Sequence, residues 1–226
     1  MVAQGISYGV DLVLCIDMTG SMSPIIDRVK ANAVSFSDDL RAALDEKGKV
    51  VDPLRVRVIG FRDFYVDGDN AIQASDFFTL PDENESFKDF VLNLDVAGGG
   101  DEPESGLEAL ALAIQSPWAK SGTKNRQLIV VWTDAGAHPL DKDAGSKPSS
   151  YPTSLPNDLD QLTDWWEGQT YMDASAKRLI LFAPDAAGWS EIGSNWDNAI
   201  HLASTAGAGL SDHEYSTILD SIANSV

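Results

Sequence analysis

Hydrophobic and polar positions alternate along this chain between two periods. Val10 to Ile16 (VDLVLCI) is a nearly continuous apolar run, as expected of a strand covered on both faces. Ser23 and Pro24 follow as an N-cap and a first helical residue. Ile25, Val29, Ala33, Phe36, Leu40 and Leu44 then recur at steps of three and four, predicting one long amphipathic helix closed by Gly48. Leu54 to Phe61 (LRVRVIGF) alternates Leu54, Val56 and Val58 with Arg55 and Arg57, the pattern of a strand near a sheet edge. A short strand is expected around Phe77 to Leu80. Asp82 and Glu85 read as a capping box for a helix carrying Phe87, Phe90, Val91 and Leu94. After the break Gly98-Gly99-Gly100, Pro103 opens a helix with Leu107, Leu110, Ala111 and Ile114.

Gln127 to Thr133 (QLIVVWT) is a second fully buried strand. The stretch from Ala135 to Pro156 is rich in Pro, Gly, Ser and Lys. It reads as a long loop, and a loop of that length is functional or mobile. Leu159, Leu162 and Trp166 mark a helix, Arg178 to Ala183 a strand, Trp189, Ile192 and Trp196 a short helix, and Ala199 to Ala203 a last strand. Ser211 with Glu214 caps a final helix carrying Ile218, Leu219 and Ile222. Strands alternating with helices predict an α/β fold. The expected form is a doubly wound, mostly parallel six-stranded sheet with helices on both faces, built as a single domain over residues 1–226. Trp165, Trp166, Trp189 and Trp196 fall at helical spacing and are expected in the core, with Trp165 the most exposed of them.

Composition narrows the function classes. The chain has 35 Asp+Glu against 16 Lys+Arg, a formal net charge of -19. Such a surface repels phosphate backbones and anionic membranes, so neither nucleic acid nor membrane is an expected partner. The lone Cys15 lies inside a strand and reads as a buried, inert thiol. No basic segment leading into an apolar stretch opens the sequence, and no apolar run approaches membrane-spanning length, so a cytoplasmic location is expected.

In an open parallel sheet, ligands bind outside the carboxyl ends of the strands. The first strand ends in Asp17-Met18-Thr19-Gly20-Ser21, the second in Arg62-Asp63, and the buried strand from Gln127 in Thr133-Asp134, with His138 just beyond. The loop before the Leu107 helix carries Gly100-Asp101-Glu102. Four acids, Asp17, Asp63, Asp101 and Asp134, and two hydroxyls, Thr19 and Ser21, thus converge on one edge. Clustered carboxylates repel unless a cation lies between them. Hard oxygen ligands suit Mg²⁺, Mn²⁺ or Ca²⁺ rather than Zn²⁺, and compact hydroxyls on a short loop favour the smaller ion. Taken singly, each acid or hydroxyl reads equally well as a helix cap or an Asx turn, and their convergence favours the cation.

Asp17-x-Thr19-x-Ser21 after a buried strand resembles the DxSxS motif of von Willebrand factor A domains, the metal-ion-dependent adhesion site. Thr133-Asp134 resembles that family's later Asp. Gly98-Gly99-Gly100-Asp101-Glu102-Pro103-Glu104 and Phe61-Arg62-Asp63 resemble its bacterial and hemicentin-like branch. The resemblance runs from about Tyr8 to Val226. It implies that Thr19 and Ser21 give hydroxyl oxygens directly to the metal, with Asp17 and Asp134 close by, often through water. The family's loop threonine has no obvious counterpart. Asp101 stands at about that place, with Ser105 a second candidate, and Asp63, Ser105 and His138 are candidates for the surrounding shell. A carboxylate at Asp101 would neutralise more of the metal's charge and weaken its pull on a partner's acid.

The function implied is a metal-dependent protein-interaction module without catalysis. Its partner would be another protein bound at the metal rim, in an adaptor role beside bacterial stress, chaperone or conflict machinery. Two other readings stand beside it: a metal-dependent phosphoester hydrolase, and a structural subunit in which the metal is a stabilising clip. For the hydrolase, an Asp ends the first strand, but Thr19 stands where a haloacid dehalogenase-type acid/base would. Neither a GxxxxGK[ST] loop nor a GxSxG elbow occurs.

Overall fold

The computed structural model describes residues 7–33, 35–98, 103–120, 124–142, 147–208 and 213–226. Its centre is a seven-stranded sheet: β1 (Ser7–Asp17), β2 (Val50–Phe61), β3 (Ile72–Ala74), β4 (Phe78–Leu80), β5 (Asn125–Trp132), β6 (Lys177–Pro184) and β7 (Ala199–Ser204). The order is β3-β2-β1-β5-β6-β7, with β4 also paired to β2. β2, β1, β5, β6 and β7 run parallel. β3 and β4 pair antiparallel along the outer side of β2. The sheet therefore holds one more strand than the hydrophobic pattern predicts, since the three-residue Ile72–Ala74 is too short to show a period. Among the described residues, β2 has only these two short pieces on its outer side, in keeping with its edge-like alternation. On the side towards β1, Arg55 holds its register partner Asp11 in a two-pronged ion pair, Nε to Oδ1 at 2.7 Å and Nη2 to Oδ2 at 2.5 Å.

Period-two alternation in the central strands splits the core in two. Leu12, Leu14 and Ile16 of β1, Leu128, Val130 and Trp132 of β5, and Ile180 and Phe182 of β6 face one layer. Val13, Cys15, Ile129, Val131, Leu179 and Leu181 face the other. The first layer is closed by α1 (Ser23–Asn32), α2 (Phe36–Glu46), α4 (Asn84–Leu92) and α8 (Tyr215–Ser225). The second is closed by α3 (Phe64–Asp67), α5 (Gly106–Ile114), α6 (Leu159–Glu167) and α7 (Trp189–Asn195). Helices cover both faces, so each central strand is apolar on both sides. Burial also fixes Cys15, whose thiol is pushed up to about 12 by loss of solvent, beyond reach of ordinary thiolate chemistry.

Three local expectations are corrected. The single long helix is two: α1 ends at Asn32 and α2 begins at Phe36. Asn32 Nδ2 bonds the Arg28 carbonyl and Ser35 Oγ bonds Asp39, and such side-chain bonds compete with the helix ladder at the junction. The apolar stripe continues across the break, which is why its period reads as unbroken. Asp82 and Glu85 do not box the start of α4. Glu83 takes that position and its carboxylate accepts from Thr79 N at 2.6 Å. α5 starts at Gly106 rather than Pro103, because Glu104 is held in a bridge to Ala137. The Ala135–Pro156 stretch packs down over its described part, burying Leu140, Tyr151 and Leu155. It is fastened by Lys142, whose Nζ lies 2.5 Å from Glu108 Oε1, and by Tyr151 OH at 3.1 Å from the same atom.

Ser211 lies outside the described residues, and Glu214 stands at the N-cap of α8 without a side-chain bond. Trp166, Trp189 and Trp196 are buried as expected, and Trp165 is half-buried against Tyr171. No helix among the described residues is long and apolar enough to cross a membrane.

Candidate metal centre at the carboxyl edge of the sheet

The chain leaves β1 towards β2 on one side and reaches β5 on the other, so strand order reverses between β1 and β5. The carboxyl ends of these two strands border the crevice where doubly wound sheets bind ligands. Ile16 lies opposite Trp132 in the parallel register, which brings Asp17 beside Thr133.

Asp17 is fully buried, and both of its oxygens are engaged. Oδ1 accepts from Thr19 N at 2.9 Å and from Thr19 Oγ1 at 2.6 Å. Oδ2 accepts from Thr133 Oγ1 at 2.7 Å. Thr133 in turn accepts from Ala135 N at 3.1 Å, tying the end of β5 to the same carboxylate. Ser21 Oγ donates to Asp134 Oδ1 at 2.9 Å and lies 3.4 Å from Thr19 Oγ1. Burial raises the Asp17 carboxyl to about 6, against the opposing pull of its Thr19 and Thr133 bonds, with the nearby Asp134 charge a smaller cause.

The loop that holds these groups is anchored by two methionines. Met18 and Met22 are fully buried while Gly20 and Ser21 face solvent. Met18 folds across β2 at Gly60, where a Cβ would lie 2.3 Å from its sulfur and would force this buried side chain to shift. Residues 20–22 make a single 3₁₀ turn. Gly20 N donates to Gly98 O at 3.2 Å, and Ser23 Oγ to Gly20 O at 2.7 Å. Gly98 sits at φ +76, in the left-handed region that suits glycine.

Asp101 lies outside the described residues, between two tethered flanks. Gly98 is bonded to the Gly20 turn, while Glu104 N donates to Gly136 O at 2.9 Å and His138 N to Glu104 O at 2.8 Å. Asp63, Ser105 and His138 gather in a knot of their own. Asp63 caps α3 by accepting from Tyr65 N at 2.9 Å. It takes Ser105 Oγ at 3.4 Å and faces His138 Nε2 at 3.4 Å. Ser105 Oγ also accepts from Phe64 N at 3.1 Å, and the His138 ring packs edge-on against Tyr65. His138, a loop histidine whose ordinary lot is solvation, is thus held in place by a buried acid.

Two residues carry more of the site than their sequence context announces. Thr133 bridges Asp17 and Ala135, and its only signal is a hydroxyl at the last position of an apolar strand. Arg62 is buried and paired with Asp67 at 3.5 Å and Asp95 at 2.9 Å, holding the chain that leads to Gly98.

The residues fit a hard cation. Each hydroxyl has its proton committed to a carboxylate, Thr19 to Asp17 and Ser21 to Asp134, which leaves oxygen lone pairs free to face a third group. Their 3.4 Å separation compares with about 3 Å between neighbouring oxygens around an octahedral Mg²⁺. No cluster of three or more His, Cys, Asp or Glu side chains arranged to hold a metal occurs among the described residues. The donor set is of the hydroxyl-and-carboxylate kind.

A family model described as von Willebrand factor A domain matches residues 75–146, a span that includes Asp134 and not the Asp17 loop. The chain has an α/β fold like that of von Willebrand factor A domains. It is similar to the protein named alpha-protein kinase vwkA of Dictyostelium discoideum, 30% identical over 158 residues. That alignment covers 69% of this chain and 23% of the Dictyostelium protein's length. The domain is also similar in fold to the pilus adhesin SpaC of Lactobacillus rhamnosus GG. One structure of that adhesin superimposes with a TM-score of 0.58 at 13% identity, covering 98% of this chain and 31% of the adhesin. Its open conformation gives 0.55 at 14% identity, covering 98% and 30%. At these identities the likeness is one of fold.

Proposed function

We propose that this von Willebrand factor A-type domain is a metal-dependent protein-interaction module, with Mg²⁺ its first cation and Mn²⁺ or Ca²⁺ as alternatives. The observation that carries the reading is the pair of hydroxyls 3.4 Å apart, each backed by a buried carboxylate, at the point where strand order reverses. Thr19 and Ser21 hold the ion through their oxygens. Asp17 and Asp134 stand behind them and supply the compensating charge. Asp101 is the candidate to complete the shell from the loop whose flanks meet the Gly20 turn and Gly136. When bound, the ion supplies a positive, oxygen-seeking anchor at the surface. Exposed Gly20 and Ser21 let a partner approach it, while Met18 and Met22 keep the loop from yielding.

The partner is another protein, and the role that of an adaptor in a multi-protein assembly of the bacterial stress, chaperone or conflict kind. The chain spans 23% of the length of its kinase-named relative and about a third of the adhesin, both of which hold much more besides this domain. A binding role is favoured over catalysis by Ser105, whose hydroxyl is turned to Asp63 and not to His138.

Calorimetric titration of Mg²⁺ into EDTA-stripped protein tests the reading. The wild type is expected to bind, and Thr19→Val with Ser21→Ala to bind about tenfold more weakly or worse. Equal binding by the double variant would remove these hydroxyls from the site.

A further inference from the structure

The amino-terminal edge of the sheet, opposite the acidic rim, is cationic. Lys49 immediately precedes β2, Lys124 immediately precedes β5, and Arg126 and Arg178 are the second residues of β5 and β6. Because β2, β1, β5 and β6 are parallel neighbours, these residues line one edge. Three steps between strands span about 14 Å.

In a chain with more than twice as many acids as bases, three of these cations bond backbone oxygens, and Lys124 lies over the Tyr8 ring at 5.4 Å. Lys49 Nζ donates to Ala223 O at 2.8 Å and Asn224 O at 3.4 Å. Arg126 donates to Val226 O at 2.8 Å and Asn125 O at 3.2 Å. Arg178 donates to Lys177 O at 2.6 Å and Ser175 O at 3.3 Å. Their charges also act on one another. Lys49 is held below the usual lysine range by burial and then by Lys47 and Arg126, and Arg178 is lowered by burial and then by Arg126. Beside Lys124 and Arg126 opens a polar cleft of about 380 Å³ reaching Gln127, Gln169 and Asp173. The Asp173 carboxylate is occupied by Ser175 N at 2.8 Å and Ser175 Oγ at 2.5 Å.

We propose that this edge is a second binding face, and that it takes an extended acidic peptide segment of a partner protein. The spacing selects the ligand. A lone phosphate cannot reach cations spread over about 14 Å, whereas an extended chain rises about 3.3 Å per residue and covers that distance in roughly four residues. A long nucleic acid is disfavoured by the net charge of -19, which a short acidic segment meets only locally. The domain then has two ends of opposite character, a cation-seeking rim and an acid-seeking edge.

Fluorescence anisotropy with a labelled hexaglutamate peptide, in EDTA and low salt, tests the proposal. Saturable binding is expected, weakened roughly tenfold or more by Lys49→Gln with Arg178→Gln and by raised salt, and unchanged by Asp17→Ala. Should the double variant melt early, Lys124→Gln, at an exposed lysine, is expected to weaken binding by a smaller factor. No binding, or equal binding by these variants, overturns the proposal. So does complete displacement by millimolar inorganic phosphate at constant ionic strength, which would make this a small-anion site. Peptide binding that needs Mg²⁺ and disappears in Asp17→Ala would belong to the rim instead. A result confined to this edge leaves the metal reading untouched, and failure of Mg²⁺ binding leaves this one.

Discussion

The buried Asp17 carboxyl makes the stability of the metal-free domain depend on pH in an unusual direction. Its folded value of about 6 lies above the ordinary 3.8, because burial outweighs the bonds from Thr19 and Thr133. The folded state therefore holds this proton more tightly than the unfolded chain. Below about pH 4 both states are protonated and no penalty exists. Between about pH 4 and 6 the unfolded chain releases its proton first, so stability falls as pH rises, and above pH 6 the full cost remains. The displacement corresponds to about 3 kcal/mol. In a domain of this size that is roughly 6–12 °C of melting temperature. Other carboxylates act in the opposite sense, Asp173 among them, since its Ser175 bonds hold it below the usual range. The measurement is accordingly a difference, the melting temperature of the wild type minus that of Asp17→Asn, taken in EDTA at pH 4.5 and pH 7.5. About a third of that cost is already present at pH 4.5, so the difference should fall by roughly 4–8 °C between the two. Saturating Mg²⁺ should restore the wild type at pH 7.5, by about 2.7 kcal/mol at one hundred times its dissociation constant, and leave Asp17→Asn unmoved. A difference independent of pH in EDTA would refute the account of Asp17, and equal Mg²⁺ shifts in both proteins would detach it from the cation.

Two further changes test the scaffold around the site. Lys142→Met should cost about 3–5 kcal/mol in chemical denaturation, since it leaves Glu108 buried without its cation. Adding Glu108→Gln should recover most of that, and additive costs would show that the pair does not act as a unit. Gly106→Ala places a Cβ 2.5 Å from the Trp189 ring and should cost about 1–3 kcal/mol, with a changed near-ultraviolet circular dichroism signal from Trp189. An unchanged melt would mean the ring has room to move.

The parallel sheet was legible because its central strands are apolar on both faces, and the rim because Asp17 and Asp134 each follow such a run directly. Boundaries were less so. The division between α1 and α2 depends on Asn32 and Ser35 side chains bonding locally, while the apolar spacing on either side stays in phase. β3 is three residues long and carries no pattern of its own. The roles of Thr133 and Arg62 are tertiary: a hydroxyl and a guanidinium become structural hubs only when strands distant in sequence are set side by side. The same holds for the fastening of the Ala135–Pro156 stretch, whose Pro, Gly and Lys content points to a loose loop until Glu108 and Tyr151 are placed beneath Lys142. The cationic edge was hidden by the net charge, which averages over the two ends of the molecule.

The pairing of Ile16 with Trp132 also acts as a ruler. Asp17 meets Thr133 only because β1 and β5 reach the rim after matched numbers of paired residues, and a slip of one step would turn every side chain of a strand to the opposite layer. The placement of Asp17 beside Thr133 is therefore inherited from the same count that keeps the two cores dry. The stretch after Ala135 carries no such count. It is held instead by single side chains, Lys142 and Tyr151 on Glu108, so its place over the second core layer depends on a few contacts rather than on a ladder.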